Sequence, residues 1–430
     1  MNIAESAKAA KSTSIQLAAV VTEAKNIALA EIAKALKRRS AEIVSVNEKD
    51  LAAAEKSNLA APLLKRLKFD EGKIADVCAG IDSLIKLDDP VGKTLSATEL
   101  DDGLELYKVS CPIGVIGVVF ESRPDALVQI STLCLKSGNA VLLKGGSEAA
   151  ETNRILAKVI AGASQKAGLP EGWIQLLETR EDVAEMLALD EYIDLIIPRG
   201  SNEFVRYIMD NTNIPVLGHA EGICHVYVEA GADVDMAVRI AVDSKCQYVA
   251  VCNAAETLLV DEKIAKDFLP KVKTALEAKN VELRGCEKTR AIIDAKPAGE
   301  KDWSAEYLDL ILSVKVVTGL DEAIGHINRF GSGHTDTIVT ADKGKAGKFM
   351  DLVDSANVFW NASTRFSDGF RYGLGAEVGI STNKVHARGP VGLEGLVIYK
   401  YKLLGTGQIV ADYSGPNAKK FTHKRIVSGE

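Results

Sequence analysis

The chain has 430 residues, of which 47% are hydrophobic, and its 52 Lys and Arg against 59 Asp and Glu give a formal net charge of −7. A chain of this length exceeds what one hydrophobic core usually organises, so two or three domains are expected. The acidic balance argues against a nucleic-acid partner or an anionic membrane surface.

The seven cysteines are an odd number without CxxC spacing, which indicates reduced thiols in a cytoplasmic protein rather than a disulfide framework or a zinc site. The histidines show no metal-ligand spacing, so no metal is expected. No stretch approaches the roughly 20 apolar residues that a membrane span needs. Residues 1–30 carry charges throughout and lack the apolar core of a signal peptide.

The N-terminal and C-terminal parts of the chain predict a helical segment and a β arm. Over residues 2–86, Leu, Ile and Val recur at steps of three and four, which is typical of amphipathic helices. Residues 101–109 combine an Asp-Asp-Gly turn with alternating polarity, which predicts a hairpin arm of the kind that serves assembly. The alternating run 396–404 predicts an edge strand that completes the hairpin's sheet within or across subunits.

Between these ends, short apolar runs alternate with helical patterns in two successive series, which predicts two α/β units with parallel sheets. The runs of the first series are 113–120, 140–144, 174–177 and 193–198. The runs of the second series are 257–260, 310–317, 337–340 and 358–360.

Cys252 lies on a bend of small residues between a predicted helix and the apolar run 258–260. A thiol placed there can project into a cleft, and as a thiolate it attacks carbonyl carbons far better than a hydroxyl group. The pattern therefore points to covalent acyl chemistry. The alternative is a buried structural cysteine, which is the commonest fate of a free thiol.

Two glycine turns between a strand and a helix are candidates for binding the phosphates of a cofactor. Both offer backbone N–H groups at a helix start, and Ser147 could cap the first helix. Adjacent turns at the carboxyl edge of an open sheet form a crevice where nucleotides bind. An ordinary loop with a surface lysine is the alternative for the first turn, and no GxGxxG follows a predicted strand. The residues of the two turns are Lys144, Gly146, Ser147, Pro198, Gly200 and Ser201.

Three further residues are candidates for contacting a substrate. Arg123 follows the first core strand and could hold a carboxylate or phosphate, or serve only as a salt-bridge partner. His334 lies in a loop punctuated by glycines and could form a dyad with Cys252, contact substrate or brace its loop. Arg388 belongs with His386 to a segment that is either loop architecture or a substrate contact.

Four blocks of sequence, in this order, resemble the aldehyde dehydrogenase superfamily and within it the γ-glutamyl phosphate reductase family. The blocks are 110–125, 251–254, 326–336 and 386–390. The resemblance implies a cofactor-binding α/β domain with N-terminal helices, a catalytic α/β domain that carries Cys252, an oligomerisation arm, and a return segment to the cofactor domain. The cofactor-binding domain would span residues 1–99 and 113–230, and the catalytic domain residues 231–360. The oligomerisation arm would comprise residues 100–112 and 390–430, and the return segment residues 361–389.

The resemblance also implies an activity, namely NADPH-dependent reduction of L-glutamyl 5-phosphate to L-glutamate 5-semialdehyde through a Cys252 thioester, in proline biosynthesis. Arg123, Asn253, His334 and Arg388 would contact the substrate or the oxyanion. Another NAD(P)-dependent or coenzyme A-acylating aldehyde dehydrogenase, or a non-catalytic scaffold of the same fold, are the alternatives. A homo-oligomer is expected, and association with a glutamate 5-kinase is open.

Three departures from the superfamily pattern bear on the chemistry. Ser147 stands where related dehydrogenases keep a ribose-binding Glu, which with Lys144 predicts NADPH over NADH, although Glu148 lies next to it. Asp309 falls where those enzymes keep a second ribose-binding Glu. Gly218 aligns with the Glu that activates water in hydrolytic relatives, and a shifted alignment would place Glu221 there.

Overall fold

The computed structural model describes residues 2–121, 123–178, 181–375 and 377–426. The described residues before Thr94 form five helices, and the first helix begins with a capping box between Asn2 and Glu5. A hairpin follows them. The helices are α1 (Ile3–Leu17), α2 (Thr22–Arg38), α3 (Ser40–Lys56), α4 (Ala61–Leu67) and α5 (Glu71–Lys86), and the hairpin strands are β1 (Thr94–Asp101) and β2 (Leu104–Pro112).

A four-stranded parallel sheet comes next, with the strand order β5-β4-β3-β6. Every residue of its two central strands is buried, because helices cover both faces. Its elements are β3 (Val115–Phe120), α6 (Pro124–Lys136), β4 (Ala140–Lys144), α7 (Ala150–Lys166), β5 (Ile174–Leu177), α8 (Glu181–Leu187), β6 (Leu195–Arg199) and α9 (Asn202–Asp210).

The second sheet has seven parallel strands in the order β10-β9-β11-β8-β7-β12-β13. Its elements are β7 (Cys224–Val228), α10 (Val234–Cys246), β8 (Ala255–Asp261), α11 (Ala265–Glu277), β9 (Glu282–Gly285), α12 (Glu287–Arg290), β10 (Lys296–Pro297), β11 (Ile311–Val317), α13 (Leu320–Phe330), β12 (Thr335–Val339), α14 (Lys343–Leu352) and β13 (Asn357–Trp360). The fold predicted from the sequence, two parallel-sheet α/β units with a small β arm, is confirmed.

The chain then returns to the first sheet through β14 (Gly379–Ser381) and β15 (Gly389–Val391), which pair antiparallel. The backbone N–H of Thr382 donates to the Gly218 carbonyl at 3.3 Å, and Asn383 Nδ2 donates to the Val216 carbonyl at 2.9 Å. Val378 and Val391 are buried in the same core as the first sheet. The return segment thereby closes the gap between the two sheets.

The last strands complete the arm. β16 (Val397–Leu404) pairs antiparallel with β2, and the two-residue β17 (Lys424–Arg425) pairs with β1. The arm is a four-stranded sheet in the order β16-β2-β1-β17 within one chain, so β16 is an edge strand. Among the described residues, no helix has both the length and the apolar character needed to cross a membrane.

The sheets divide the chain earlier than the sequence predicts. Residues up to 230 were assigned to the cofactor-binding unit, yet β7 lies inside the seven-stranded sheet between β8 and β12. A short buried strand is a continuous apolar run in either sheet, so periodicity detects the strand without identifying its neighbours. The domain ranges otherwise stay a prediction, which is supported by one large apolar core around the first sheet and one core on each face of the second sheet.

Candidate active site

Cys252 lies in the turn between α10 and β8, on the side of the second sheet that faces the first. Three residues approach this point from the amino ends of adjacent strands: Cys252 precedes β8, Cys224 begins β7, and His334 directly precedes β12. Because parallel strands end at common edges, strand starts that are far apart in sequence meet here. Cys252 is partly accessible, as its placement on a bend predicts for a nucleophile.

The Cys252 sulfur contacts an imidazole. His334 Nε2 lies 3.1 Å from Cys252 Sγ, and His334 Nδ1 lies 2.8 Å from Thr335 Oγ1. Of the three interpretations of His334, the structure supports the dyad geometry, since hydrogen-bond distance is the first requirement for a base acting on a thiol. A second imidazole, that of His219, meets the His334 ring edge-on with 5.1 Å between ring centroids. No local sequence pattern distinguishes His219 from a residue of an ordinary loop.

The resting dyad is neutral. Burial raises the pKa of the Cys252 thiol to about 12, the carboxylates of Glu306 and Glu377 act in the same direction, and Arg199 opposes them. Burial lowers the pKa of His334 well below its ordinary value, and the nearby His219 contributes. A neutral imidazole beside a neutral thiol can accept the proton at the moment when sulfur attacks.

Gly222 determines how closely the neighbouring loop approaches the nucleophile. A Cβ atom built on Gly222 would lie 2.2 Å from the Cys252 carbonyl oxygen and 2.5 Å from Cys252 Cβ. Only a residue without a side chain fits against this backbone. On the other side, Cys224 Sγ donates to the Cys252 carbonyl oxygen at 3.2 Å, so the turn is held from two directions.

A cavity of about 310 Å³ adjoins the site and contains charges of both signs. Arg123 and Arg199 line it, together with Asp368 and Glu377. Burial and the like charge of Arg123 lower the pKa of Arg199. Burial raises the pKa of Glu377. Two arginines and two carboxylates suit a small ligand with anionic groups and an ammonium group.

Two of the predicted substrate residues brace the site. Asn253 Nδ2 donates to the Ser367 carbonyl at 2.7 Å, which ties the Cys252 turn to the return segment. Arg388 donates through Nη2 to the Asp354 carbonyl at 3.0 Å and through Nε to the Thr382 carbonyl at 3.1 Å. Its guanidinium packs against the loop that carries His334, since a Cβ on Gly333 would lie 3.4 Å from Arg388 Nη2. Arg123, in contrast, lines the cavity, and its contact with substrate stays a prediction.

The two glycine turns follow β4 and β6, which flank the central strand β3. Their backbone amides therefore lie at one sheet edge, as a dinucleotide crevice requires. Ser201 Oγ accepts from the Phe204 N–H at 3.4 Å and caps α9. The expectation that Ser147 caps a helix is wrong, because Ser147 lies inside a 3-10 turn, Ser147–Ala149, and the N-cap residue of α7 is Ala149.

The side chains around the first turn fold back onto it. Lys144 is buried and its ammonium group donates to the Gly145 carbonyl. The Glu148 carboxylate lies against Gly146, where an added Cβ would meet Glu148 Oε1 at 2.0 Å. A ribose 2′ substituent at this turn would therefore encounter both a cation and an anion.

Glu306, rather than Asp309, reaches the second turn. Asp309 is exposed, and its carboxylate accepts from the adjacent Leu310 N–H at 2.7 Å. Glu306 Oε2 accepts from Asn202 Nδ2 at 2.6 Å, at the first residue of α9, and the same carboxylate acts electrostatically on Cys252. The ribose contact predicted for Asp309 stays a prediction, although in this structure its carboxylate accepts from its own loop and that of Glu306 contacts α9.

Neither of the two positions predicted to align with the water-activating Glu places a carboxylate at Cys252 in this structure. Gly218 packs near Pro198, with 3.3 Å from a built Cβ to the proline ring. The Glu221 carboxylate extends to Arg206 Nη2 at 3.6 Å, and both side chains are largely exposed. His219, between them, is the side chain of this stretch that reaches the nucleophile's surroundings.

Comparisons with known proteins show the family and support the fold. The model of the aldehyde dehydrogenase family matches residues 2–293. Gamma-glutamyl phosphate reductase of Pelotomaculum thermopropionicum is 70% identical over 426 residues, covering 99% of this chain and 98% of that protein. The crystal structure of gamma-glutamyl phosphate reductase from Thermotoga maritima aligns with a TM-score of 0.93 at 42% identity, covering 95% of this chain and 100% of that chain. An acetylating aldehyde dehydrogenase from Geobacillus thermoglucosidasius shares the fold, with a TM-score of 0.63, 17% identity, and coverage of 95% and 97%.

Proposed function

Because the chain belongs to the aldehyde dehydrogenase family and, within it, to the γ-glutamyl phosphate reductases, we propose that it reduces L-glutamyl 5-phosphate to L-glutamate 5-semialdehyde and phosphate. This reaction belongs to proline biosynthesis. The observation that carries the proposal is the Cys252 sulfur at 3.1 Å from His334 Nε2, beside a cavity that contains two arginines and two carboxylates.

Acyl transfer to the enzyme is the first step. As Cys252 Sγ attacks the substrate's side-chain carbonyl carbon, His334 Nε2 takes the thiol proton. The tetrahedral oxyanion is held by the Cys252 backbone N–H, and the carbon–oxygen bond to phosphate breaks to leave a thioester. Phosphate departs with the electron pair of that bond.

Reduction of the thioester is the second step. A bound nicotinamide dinucleotide supplies the hydride. The thiohemiacetal on Cys252 then collapses, the aldehyde leaves, and the protonated His334 returns its proton to the sulfur. Neither Gly218 nor Glu221 places a carboxylate beside the thioester, where the Glu of hydrolytic dehydrogenases would activate water and divert the intermediate to the free acid.

The charged cavity fits the amino-acid part and the phosphate of this substrate. Arg123 and Arg199 bind its anionic groups, and Asp368 and Glu377 bind its ammonium group. The fixed planar donors of arginine suit carboxylate and phosphate oxygens better than lysine does. Arg199→Lys should therefore raise the KM for the acyl substrate and for phosphate much more than it changes the KM for the dinucleotide.

The crevice at the two glycine turns is the proposed dinucleotide site, with Pro198, Gly200 and Ser201 near the pyrophosphate and Glu306 in the ribose role that was predicted for Asp309. The proposed preference for NADPH depends on the first turn, where Ser147 replaces an acidic residue. We expect Ser147→Glu to shift the ratio of kcat/KM values from NADP towards NAD through repulsion of the 2′-phosphate. Glu148→Gln should shift the ratio the opposite way.

Assembly and supply of the substrate complete the proposal. The enzyme acts as a homo-oligomer in the cytoplasm, where its free cysteines stay reduced. An acyl phosphate is labile, so a glutamate 5-kinase that makes it is the proposed associated partner. Retention of the kinase on the immobilised protein, compared with its retention on an unrelated acidic protein, tests this association.

The activity is tested in the reverse direction, with glutamate 5-semialdehyde and inorganic phosphate. NADP reduction should require phosphate and should be lost in Cys252→Ser, while that variant still binds NADPH. Cys246→Ser is the matched control because Cys246 lies on α10, six residues before the nucleophile. If Cys252→Ser turns over as fast as wild type, Cys252 is not the nucleophile.

The same assay separates the related activities. A coenzyme A-acylating dehydrogenase would use coenzyme A in place of phosphate and would accept simple aldehydes. A non-catalytic scaffold would reduce neither dinucleotide under any condition. NADP reduction that requires both phosphate and glutamate 5-semialdehyde, without coenzyme A, supports the proposal. NADP reduction only in the presence of coenzyme A contradicts it.

A further inference from the structure

Three side chains from three separate loops converge at the nucleophile. One ligand atom from each of His219, Cys252 and His334 lies within 4.8 Å of the other two. The histidines precede β7 and β12, and Cys252 precedes β8, so adjacent strands of a rigid parallel sheet fix the spacing. One thiolate and two imidazoles form a donor set that divalent zinc binds in proteins.

Hydrogen bonds to the outer nitrogens orient both imidazoles. His219 Nδ1 contacts the Ile380 carbonyl oxygen at 2.8 Å and must donate to it, so the lone pair of the neutral ring is on Nε2. His334 Nδ1 is engaged by Thr335 Oγ1 at 2.8 Å, while its Nε2 faces the sulfur. Outer partners of this kind fix the tautomer and ring orientation of the histidines that bind metals.

The separation of Cys252 Sγ and His334 Nε2 is close to that of two ligands in a tetrahedral site. Zinc lies about 2.3 Å from sulfur and about 2.0 Å from nitrogen, which at a tetrahedral angle separates the two ligand atoms by about 3.5 Å. Cys252 Sγ and His334 Nε2 are 3.1 Å apart, so a small opening of this contact admits the ion. Partial exposure of Cys252 leaves a route for entry and an open fourth position.

We propose that His219, Cys252 and His334 form a binding site for Zn²⁺, which withholds the Cys252 sulfur from acyl transfer. Three protein ligands with an open fourth position make an exchangeable site rather than a closed structural one. The proposed inhibition rests on the function argued above, whereas the binding of the ion does not. The metal would occupy the side chains that the reaction itself needs, so bound substrate and bound zinc should exclude each other.

Cobalt provides a readout that is independent of turnover. When Co²⁺ is titrated into the purified full chain, a tetrahedral thiolate site should give visible absorption bands and a near-ultraviolet sulfur-to-cobalt band, which Zn²⁺ then displaces at one ion per chain. Cys252→Ser should abolish the sulfur band. His219→Gln should weaken metal binding by more than the about 10- to 100-fold that loss of an outer partner costs.

The controls are Cys246→Ser and His386→Gln, which alter a thiol and an imidazole outside the cluster and should leave the cobalt spectrum and the zinc affinity unchanged. In the activity assay, zinc should inhibit wild type reversibly, with recovery on addition of a chelator. If zinc binds His219→Gln as tightly as wild type, or if the sulfur band persists in Cys252→Ser, the proposal is overturned. A cobalt spectrum in a protein without reductase activity would support the site and contradict only the proposed function.

Discussion

At the scale of single residues, the proposed chemistry depends on keeping Cys252 neutral until it reacts. A thiol of ordinary pKa, about 8.5, is a few per cent thiolate near neutrality. Burial and the carboxylates of Glu306 and Glu377 raise the pKa of Cys252 to about 12, so the resting protein holds almost no thiolate at pH 8. The adjacent His334 compensates, because it can remove the proton during the attack.

The raised pKa predicts how alkylation of the protein without ligands depends on pH. Only the thiolate reacts with iodoacetamide, so a raised pKa lowers the rate at neutral pH and postpones its rise. The rate of Cys252 modification, followed by mass spectrometry, should increase about tenfold per pH unit between pH 7 and 9, while that of free cysteine levels off above its pKa of about 8.5. A plateau for Cys252 below pH 9 would show that its thiol is not shielded.

The close approach at Gly222 gives a second prediction for a single residue. Gly222→Ala places a methyl group within 2.5 Å of Cys252 backbone and side-chain atoms, so the turn must shift. We expect kcat to fall by about 100-fold, as a displacement of about 1 Å from attack geometry causes, with a loss of about 1–3 kcal/mol in the free energy of unfolding.

Gly162→Ala is the matched control, because this helical glycine has open space around its Cα. It should leave kcat unchanged and raise the unfolding temperature slightly. Full activity in Gly222→Ala would mean that the loop yields without moving the nucleophile.

The sequence predicted part of the site because some of its signals are local. A small-residue bend before a buried strand identifies Cys252, and a glycine-punctuated loop identifies His334 as a candidate. Their contact spans 82 residues of sequence and depends on the order of strands in the sheet, which periodicity does not encode. Arg199 and His219 carry no local pattern that separates them from an ordinary strand end and an ordinary loop.

At the scale of secondary-structure elements, buried strands were predicted with the correct bounds where the apolar run was short and sharply ended. β4 and β5 coincide with the predicted runs. The sequence placed the start of α7 at Ser147 instead of Ala150, because the side chain that accepts from the first turn of α7 belongs to a distant helix. Asp50 on α3 accepts from the Thr152 N–H at 2.8 Å and from Thr152 Oγ1 at 2.7 Å, and a local sequence pattern cannot show a cap supplied from elsewhere in the chain.

This remote cap should make Asp50 important for stability. Asp50→Ala leaves the buried Thr152 N–H unpaired and removes a negative charge from the start of α7. We expect a loss of about 1–3 kcal/mol in the free energy of unfolding, measured by urea denaturation. Glu48→Ala, an exposed substitution on the same helix, should change it by less than about 0.5 kcal/mol. Equal effects of the two substitutions would contradict the capping role.

At the scale of the whole molecule, the two sheets face each other, and each contributes a different part of the proposed site. The carboxyl edge of the first sheet presents glycine turns and helix starts, which suit a dinucleotide. The amino edge of the second sheet presents Cys252 and His334. The Asn202–Glu306 hydrogen bond of 2.6 Å and the return segment join the edges. A motion between the sheets would therefore change the distance between cofactor and nucleophile.

The arm lies outside the apolar cores of the two α/β units and carries an exposed apolar surface. β16 is an edge strand of its sheet, and its exposed apolar residues include Ile398, Tyr399, Tyr401, Leu403 and Leu404. Edge strands are usually shortened, charged or covered, so a long apolar edge indicates pairing with another chain. A second copy of the chain is the occupant that the resemblance implies, and the arm is therefore the proposed oligomer contact.

The arm leads to the last prediction, which concerns assembly. Tyr401→Asp combined with Leu403→Lys places charges on the exposed edge, and light scattering after size exclusion should show a shift from oligomer towards monomer. Exposed Lys266 on α11 provides the control, since Lys266→Glu also alters surface charge but lies on the second α/β unit. Because the arm is distant in the fold from β7, β8 and β12, the monomer should retain the cobalt spectrum of the Cys252 site. An oligomer of unchanged mass in the double variant would assign assembly to another surface.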